Sequence, residues 1–177
     1  TKQLPDLIIS DLMMPGMNGL EFTAHIKEDA MTSHIQIILL TAKADEHDYT
    51  EGYLKGADAY ISKPFNAQNL ELLVQNMLNV RRLNIEHFKQ AKELNIKQIT
   101  NNPRDEIFMK ELVRLIMDNI NKEDFGVSEI TAHFRISRSL LHMKLKSLTE
   151  CSITQFIRTI KMKEAKTHLL NGMNVSD

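Results

Sequence analysis

The sequence predicts two regions of different class, a parallel α/β sheet over residues 1–80 and an all-α domain over residues 105–177. Three observations carry this. In the first region, short runs rich in β-branched residues (Leu7-Ile8-Ile9-Ser10, Ile35-Gln36-Ile37-Ile38-Leu39-Leu40 and Ala59-Tyr60-Ile61) alternate with helical patterns, as strands buried on both faces of a parallel sheet do. From Asp105 onward no such run recurs, and the apolar residues follow a helical period broken by short polar turns such as Asn121-Lys122-Glu123-Asp124. Charge divides as well: residues 1–80 carry 5 Lys+Arg against 11 Asp+Glu and residues 81–177 carry 17 against 12, so a net −6 precedes a net +5. A basic region following an acidic one makes nucleic acid the leading anionic partner, although a merely solvated surface gives the same balance.

The elements follow in order. After the first strand, Pro15, Gly16, Asn18 and Gly19 punctuate a turn, and Leu20, Phe22 and Ile26 recur at helical spacing. The second strand is followed by a helical pattern at Tyr53, Leu54 and Ala57, and the third by a helix over 66–79 with Leu70, Leu73, Val74, Met77 and Leu78 on one stripe. Residues 81–104 read as a linker that begins as an extension of this helix and ends at Thr100-Asn101-Asn102-Pro103. In the second region a short helix starts near Ser128, and Ser137 caps another running through Arg138 to about Thr149.

A length of 177 residues, 42% hydrophobic and 25% charged, suits two globular domains with real cores. The single cysteine, Cys151, has no internal disulfide partner, and no apolar run reaches the eighteen or so residues of a membrane helix. The expected compartment is a reducing cytoplasm. The start at Thr1-Lys2-Gln3, just before a strand, reads as a cut from something longer.

Asp11 ends its strand, at the edge where open α/β sheets place their ligands. A carboxylate there serves as a nucleophile, or caps the turn Met13-Met14-Pro15-Gly16. Thr41 closes the second strand and Lys63 the third, so all three polar groups share one edge. A hydroxyl and an ammonium stabilise the charge on the equatorial oxygens of a phosphoryl group moving onto a carboxylate.

In order and spacing, Asp11-Leu12-Met13-Met14-Pro15-Gly16-Met17-Asn18-Gly19, Leu40-Thr41-Ala42 and Gly56-Ala57-Asp58-Ala59-Tyr60-Ile61-Ser62-Lys63-Pro64-Phe65 resemble the receiver domain of two-component response regulators over residues 1 to about 80. The resemblance implies a flavodoxin-like receiver, here a partial parallel sheet, in which Asp11 accepts a phosphoryl group from a histidine kinase while Thr41 and Lys63 bind it. It implies that Met13 lends a backbone carbonyl to a Mg²⁺ also bound by Asp11, that Tyr60 is the aromatic switch (surface packing being the alternative), that the Lys63–Pro64 bond is cis, and that Ala42 leaves the acceptor open. One departure is large. The family's acidic pair that completes the Mg²⁺ site, with its first two strands, would precede Thr1. Weak metal binding and inefficient phosphorylation of this chain are therefore expected.

On the second capped helix, Leu141, Leu145 and Leu148 share one face, leaving Ser139, His142, Met143 and Lys146 outward with Arg138 and Lys144 on the flanks. Two helices so joined form a helix-turn-helix, whose basic margins suit phosphates and whose outward residues suit base edges of double-stranded DNA; a solvated amphipathic helix looks the same. The run Ile136 to Lys146, then Gln155-Phe156-Ile157-Arg158, Lys161 to Ala165 and Leu169-Leu170 resemble the AraC-type DNA-binding domain. That implies a linker helix over about 153–171 and a second unit opening at Asn174-Val175-Ser176-Asp177, whose recognition helix is missing. Weak, mostly nonspecific DNA binding is expected. Arg135 and Glu150 stand where the family commonly has glycine, and both positions are candidates for a left-handed backbone.

The whole reads as the tail of a hybrid two-component sensor, a free-standing response regulator being the other reading and a homodimer the expected parent. A non-DNA-binding interaction module is a further possibility. No enzyme activity is expected of the segment itself, although the parent is expected to hold a histidine kinase: there is no Gly-x-Gly-x-x-Gly, phosphate loop or His-Glu-x-x-His, and His25, His47 and His168 are read as surface residues.

Overall fold

Apolar, β-branched segments leave a strand no solvent face, and those of the first region pair side by side in a computed structural model that describes residues 4–42, 54–91, 95–100 and 102–170. Two compact units divide between Asn84 and Ile85.

In the first unit, β1 (Leu7–Asp11), β2 (Gln36–Thr41) and β3 (Ala59–Ser62) form a parallel sheet in the order β1-β2-β3. The register runs from Leu7 opposite Gln36 to Asp11 opposite Leu40, and from Ile38 opposite Ala59 to Thr41 opposite Ser62. Each strand lies within a residue or so of its predicted place. Helix α1 (Gly19–Glu28) starts at a reciprocal cap: Asn18 Oδ1 accepts the Glu21 N–H at 2.8 Å and the Glu21 carboxylate accepts the Asn18 N–H at 3.2 Å. Leu20 and Ile26 of α1 join Ile8, Leu12, Ile37, Leu39, Ala57 and Tyr60 in one core. The Lys27 ammonium donates to the Ile35 carbonyl and to Asp58, and Asp58 accepts the Ile37 N–H, each at 2.8 Å, which fixes the turn before β3. Of the helical pattern expected at Tyr53, Leu54 and Ala57, Tyr53 lies outside the described residues; Leu54 is exposed and Ala57 buried.

Helix α2 (Ala67–Gln90) covers the predicted 66–79 and continues as the extension expected at the start of residues 81–104. Its stripe of Leu70, Leu73, Val74 and Met77 is only half-buried, and Leu78 is exposed.

The second unit is helical: a 3-10 turn (Ile96–Gln98), α3 (Pro103–Asp118), α4 (Val127–Phe134), α5 (Arg138–Thr149) and α6 (Ile153–Leu170). One core holds Met109, Leu112 and Ile116 of α3, Ile130 of α4, Leu141, Leu145 and Leu148 of α5, and Phe156 and Ile160 of α6. Ile85, Phe88 and Ile99, from the stretch that reads as a linker in the sequence, are buried in this core too, and the Phe88 ring stacks on Phe156 at 6.4 Å. Their apolar side chains make that stretch part of the unit rather than a bare connector. Fully burying a leucine contributes about 1.5–3 kcal/mol, so the three on α5 hold that helix down.

Caps mark the helix starts. Asn102 Oδ1 accepts the Asp105 N–H at 2.9 Å ahead of Pro103, and Ser137 Oγ accepts the Leu140 N–H at 3.2 Å. Helices α4 and α5 end in left-handed residues, Arg135 at φ 53° and Glu150 at φ 57°, the two positions the sequence marked. A side chain in that conformation costs about 1 kcal/mol that glycine avoids. Arg135→Gly is therefore expected to stabilise the second unit by about 1 kcal/mol and raise Tm by about 4–8 °C in calorimetry.

Candidate functional site

Parallel pairing sends the C-terminal ends of β1, β2 and β3 to one edge, bringing together Asp11, Thr41 and, one residue past β3, Lys63. The Lys63 ammonium forms an ion pair with Asp11 Oδ2, and the Met13 N–H donates to Asp11 Oδ1 at 3.2 Å. Both charged side chains keep over a third of their surface open to solvent. The hydrogen bond from Lys63, and after it the one from the Met13 N–H, holds the Asp11 carboxyl below the ordinary carboxylate value. Asp11 is thus an ionised carboxylate with an open face.

Thr41 is buried, and its carbonyl accepts the Lys63 N–H at 2.6 Å, extending β-type pairing up to the lysine. The Lys63–Pro64 bond is cis. Tyr60 stands level with Leu39 on β3, half-buried, with its ring against the core beneath α1. Ala42 is exposed, as is Met13.

A residue that sequence reasoning treated only as a turn former shapes the acceptor. Gly19 opens α1 with its N–H on the Leu12 carbonyl at 2.8 Å, and a Cβ there would overlap the Asp11 carbonyl and Leu12 Cα. The glycine lets α1 start directly against the backbone of Asp11 and Leu12.

Mg²⁺ finds a partial fit. The Asp11 carboxylate, more than a third open to solvent, is one hard oxygen donor for it, and this ion ordinarily keeps several waters and takes phosphate oxygens beside one or two carboxylates. Among the described residues no group of three His, Cys, Asp or Glu gathers around a metal-sized space.

In the second unit, the α4–α5 turn is closed by Arg135 N–H to the Ala132 carbonyl and Ile136 N–H to the Thr131 carbonyl. Helix α5 presents Arg138, Ser139, His142 and Lys146 to solvent, with Met143 half-buried, while Leu141, Leu145 and Leu148 are buried. Lys144 corrects the sequence reading. It does not flank the outward face: it is fully buried and ion-paired with Asp105 of α3, which is itself buried. The signal was present in the spacing, since 141, 144, 145 and 148 follow i, i+3, i+4, i+7, and the lysine sits inside the apolar stripe. Its partner Asp105 had no such signal. His25 is exposed, whereas His47 and the His168 side chain lie outside the described residues, as does the segment from Asn171 to Asp177. No helix among the described residues is long and apolar enough to cross a membrane.

A parallel α/β sheet thus gathers a carboxylate, a hydroxyl residue and a lysine on its C-terminal edge. Residues 1–75 match the family of response regulator receiver domains. Over 176 residues the chain is 38% identical to histidine kinase P4 of Formosa agariphila, covering 99% of this chain and 13% of that protein. It is 43% identical over 75 residues to response regulator Rre1 of Synechocystis sp., covering 42% of this chain and 32% of that protein. Over 152 residues it is 30% identical to the probable transcriptional regulator ycf29 of Cyanophora paradoxa, covering 82% of this chain and 72% of the relative. The chain belongs to the response regulator family and carries a receiver domain. It spans well under two thirds of the first two of these relatives.

Two outcomes check the site. Asp11 is expected to titrate below an ordinary aspartate when followed by carboxyl ¹³C NMR, and Lys63→Met to move its midpoint upward; an unmoved midpoint would assign the effect elsewhere. The sign follows from a lowered folded-state value: the stabilising contribution is in place above the ordinary carboxylate value and is lost as pH falls through the lowered one. Gly19→Ala is expected to displace the Asp11 carbonyl and to lower Tm in thermal unfolding.

Proposed function

We propose that the chain is a segment of a phosphorylation-controlled transcriptional regulator whose receiver unit accepts a phosphoryl group at Asp11 and whose helical unit is an AraC-type helix-turn-helix that binds double-stranded DNA as part of a homodimer in the cytoplasm. The observation that carries this reading is the Asp11–Lys63 ion pair on the open edge of a parallel sheet.

The chemistry follows from the groups present. An Asp11 carboxylate oxygen attacks the phosphorus of a phosphohistidine; a P–O bond forms as the P–N bond breaks, and the imidazole leaves with the electron pair and takes up a proton from solvent. The Lys63 ammonium moves from Asp11 to a phosphoryl oxygen, and the Thr41 hydroxyl donates to another. Drawing Thr41 toward the phosphoryl group opens space into which Tyr60 packs, which biases the unit between two states. Asp11 and the Met13 carbonyl are the protein oxygens that would hold Mg²⁺, which when bound offsets phosphoryl charge. On the DNA side, Arg138 and Lys146 suit backbone phosphates and Ser139, His142 and Met143 suit base edges.

The match of nearly the whole chain to a small part of a histidine kinase supports a hybrid sensor as the parent. The long match to ycf29 favours a free-standing regulator instead. The test is operator binding by the parent polypeptide with and without beryllofluoride as a phosphate mimic. Activation is expected to raise affinity about 5- to 150-fold, and Asp11→Asn to abolish the rise; equal affinity throughout would sink the switch.

A further inference from the structure

The chain buries a complete ion pair inside the helical unit. Lys144 of α5 and Asp105 of α3 are fully buried, and the ammonium lies on Asp105 Oδ1 and 5.9 Å from the centre of the Phe108 ring. The other carboxylate oxygen, Oδ2, accepts from Asn102 Nδ2 at 2.6 Å, while Asn102 caps the Asp105 N–H at 2.9 Å. Asp105 is thus held at both oxygens and at its backbone, in the first turn of α3, where the helix dipole favours an anion. It is a fixed point.

We propose that Lys144 and Asp105 are positioning residues that lock the rotation of α5 about its own axis and so set which side chains it offers to DNA; this rests on the DNA-binding reading above. At 100° per residue, Ser139, His142 and Lys146 fall within about 40° of the direction opposite Lys144. A lysine pinned inward at Asp105 therefore aims those three outward. Leucine contacts alone tolerate sliding and rotation because they are non-directional. A buried ammonium does not, since any rotation that pulls it from the carboxylate leaves two buried charges uncompensated. Specifying register is the best-attested use of a buried polar group.

The test is Asp105→Asn/Lys144→Met in the full chain, which removes both charges while keeping shape and the link to Asn102. Replacing a buried pair by apolar groups of similar volume is often neutral, and the amide left without an acceptor at position 105 costs about 1–3 kcal/mol, so a fall in Tm on the order of 5–15 °C is expected. In ¹H–¹⁵N NMR spectra, the amides of α5 are expected to double or broaden while those of α6 keep their positions. A single, native set of α5 signals overturns the lock. Should the neutral pair not fold, Asp105→Glu keeps the charge on a longer arm: α5 signals that shift as a set support the lock, and unshifted ones overturn it. In selection from a random duplex pool by the parent polypeptide, the same two substitutions are expected to leave total DNA binding in place but to cost about tenfold or more in sequence enrichment relative to the unsubstituted parent. If the unsubstituted parent enriches nothing, the DNA-binding reading fails, and the α5 signals alone decide the lock.

Discussion

Parallel pairing of β1, β2 and β3 is the constraint on which the acceptor site depends. Parallel strands end together, so residues far apart in sequence meet at one edge, and a slip of one residue in register would turn Asp11 to the opposite face of the sheet. The register is held from several sides. Ile37 and Leu39 anchor β2 beneath α1, the Lys27–Asp58 pair ties α1 to the turn before β3, and Gly19 lets α1 start against the Asp11 backbone. The open, charged site is supported by a small apolar core.

The helical unit solves a different problem, which is to hold a short helix at one angle. Leucines along one side of α5 give adhesion, left-handed residues at Arg135 and Glu150 end α4 and α5 abruptly, and the Asp105–Lys144 pair adds direction. The first contributes most of the stability and the last most of the orientation, because hydrophobic burial scales with area while a buried ion pair depends steeply on geometry.

Much of this was legible in the chain. Runs of β-branched residues announced the strands, Asn18 and Ser137 announced helix starts, and Asp11, Thr41 and Lys63 could be placed on one edge because the first two end strands and the third directly follows one. Positions 135 and 150 were marked for left-handed backbone because the resembled family commonly has glycine there, and both adopt it. Other features were not readable. The extension of α2 past residue 80 was expected, but its delivery of Phe88 into the helical core was not, since helical period alone does not say where a helix stops being exposed and starts being packed. Gly19 looked like one more turn glycine until its contact with the Asp11 carbonyl gave it a reason.

Lys144 shows where the division lies. The sequence determined by itself the class of each unit, the strand ends that carry the acceptor chemistry and the face of α5 that carries leucine, because these depend on local period and on which residue closes a strand. Only the tertiary structure decided that a lysine within that leucine stripe is buried rather than offered to DNA. Its partner is 39 residues away on another helix, and whether a charge is worth burying depends on the counter-charge that folding brings to it.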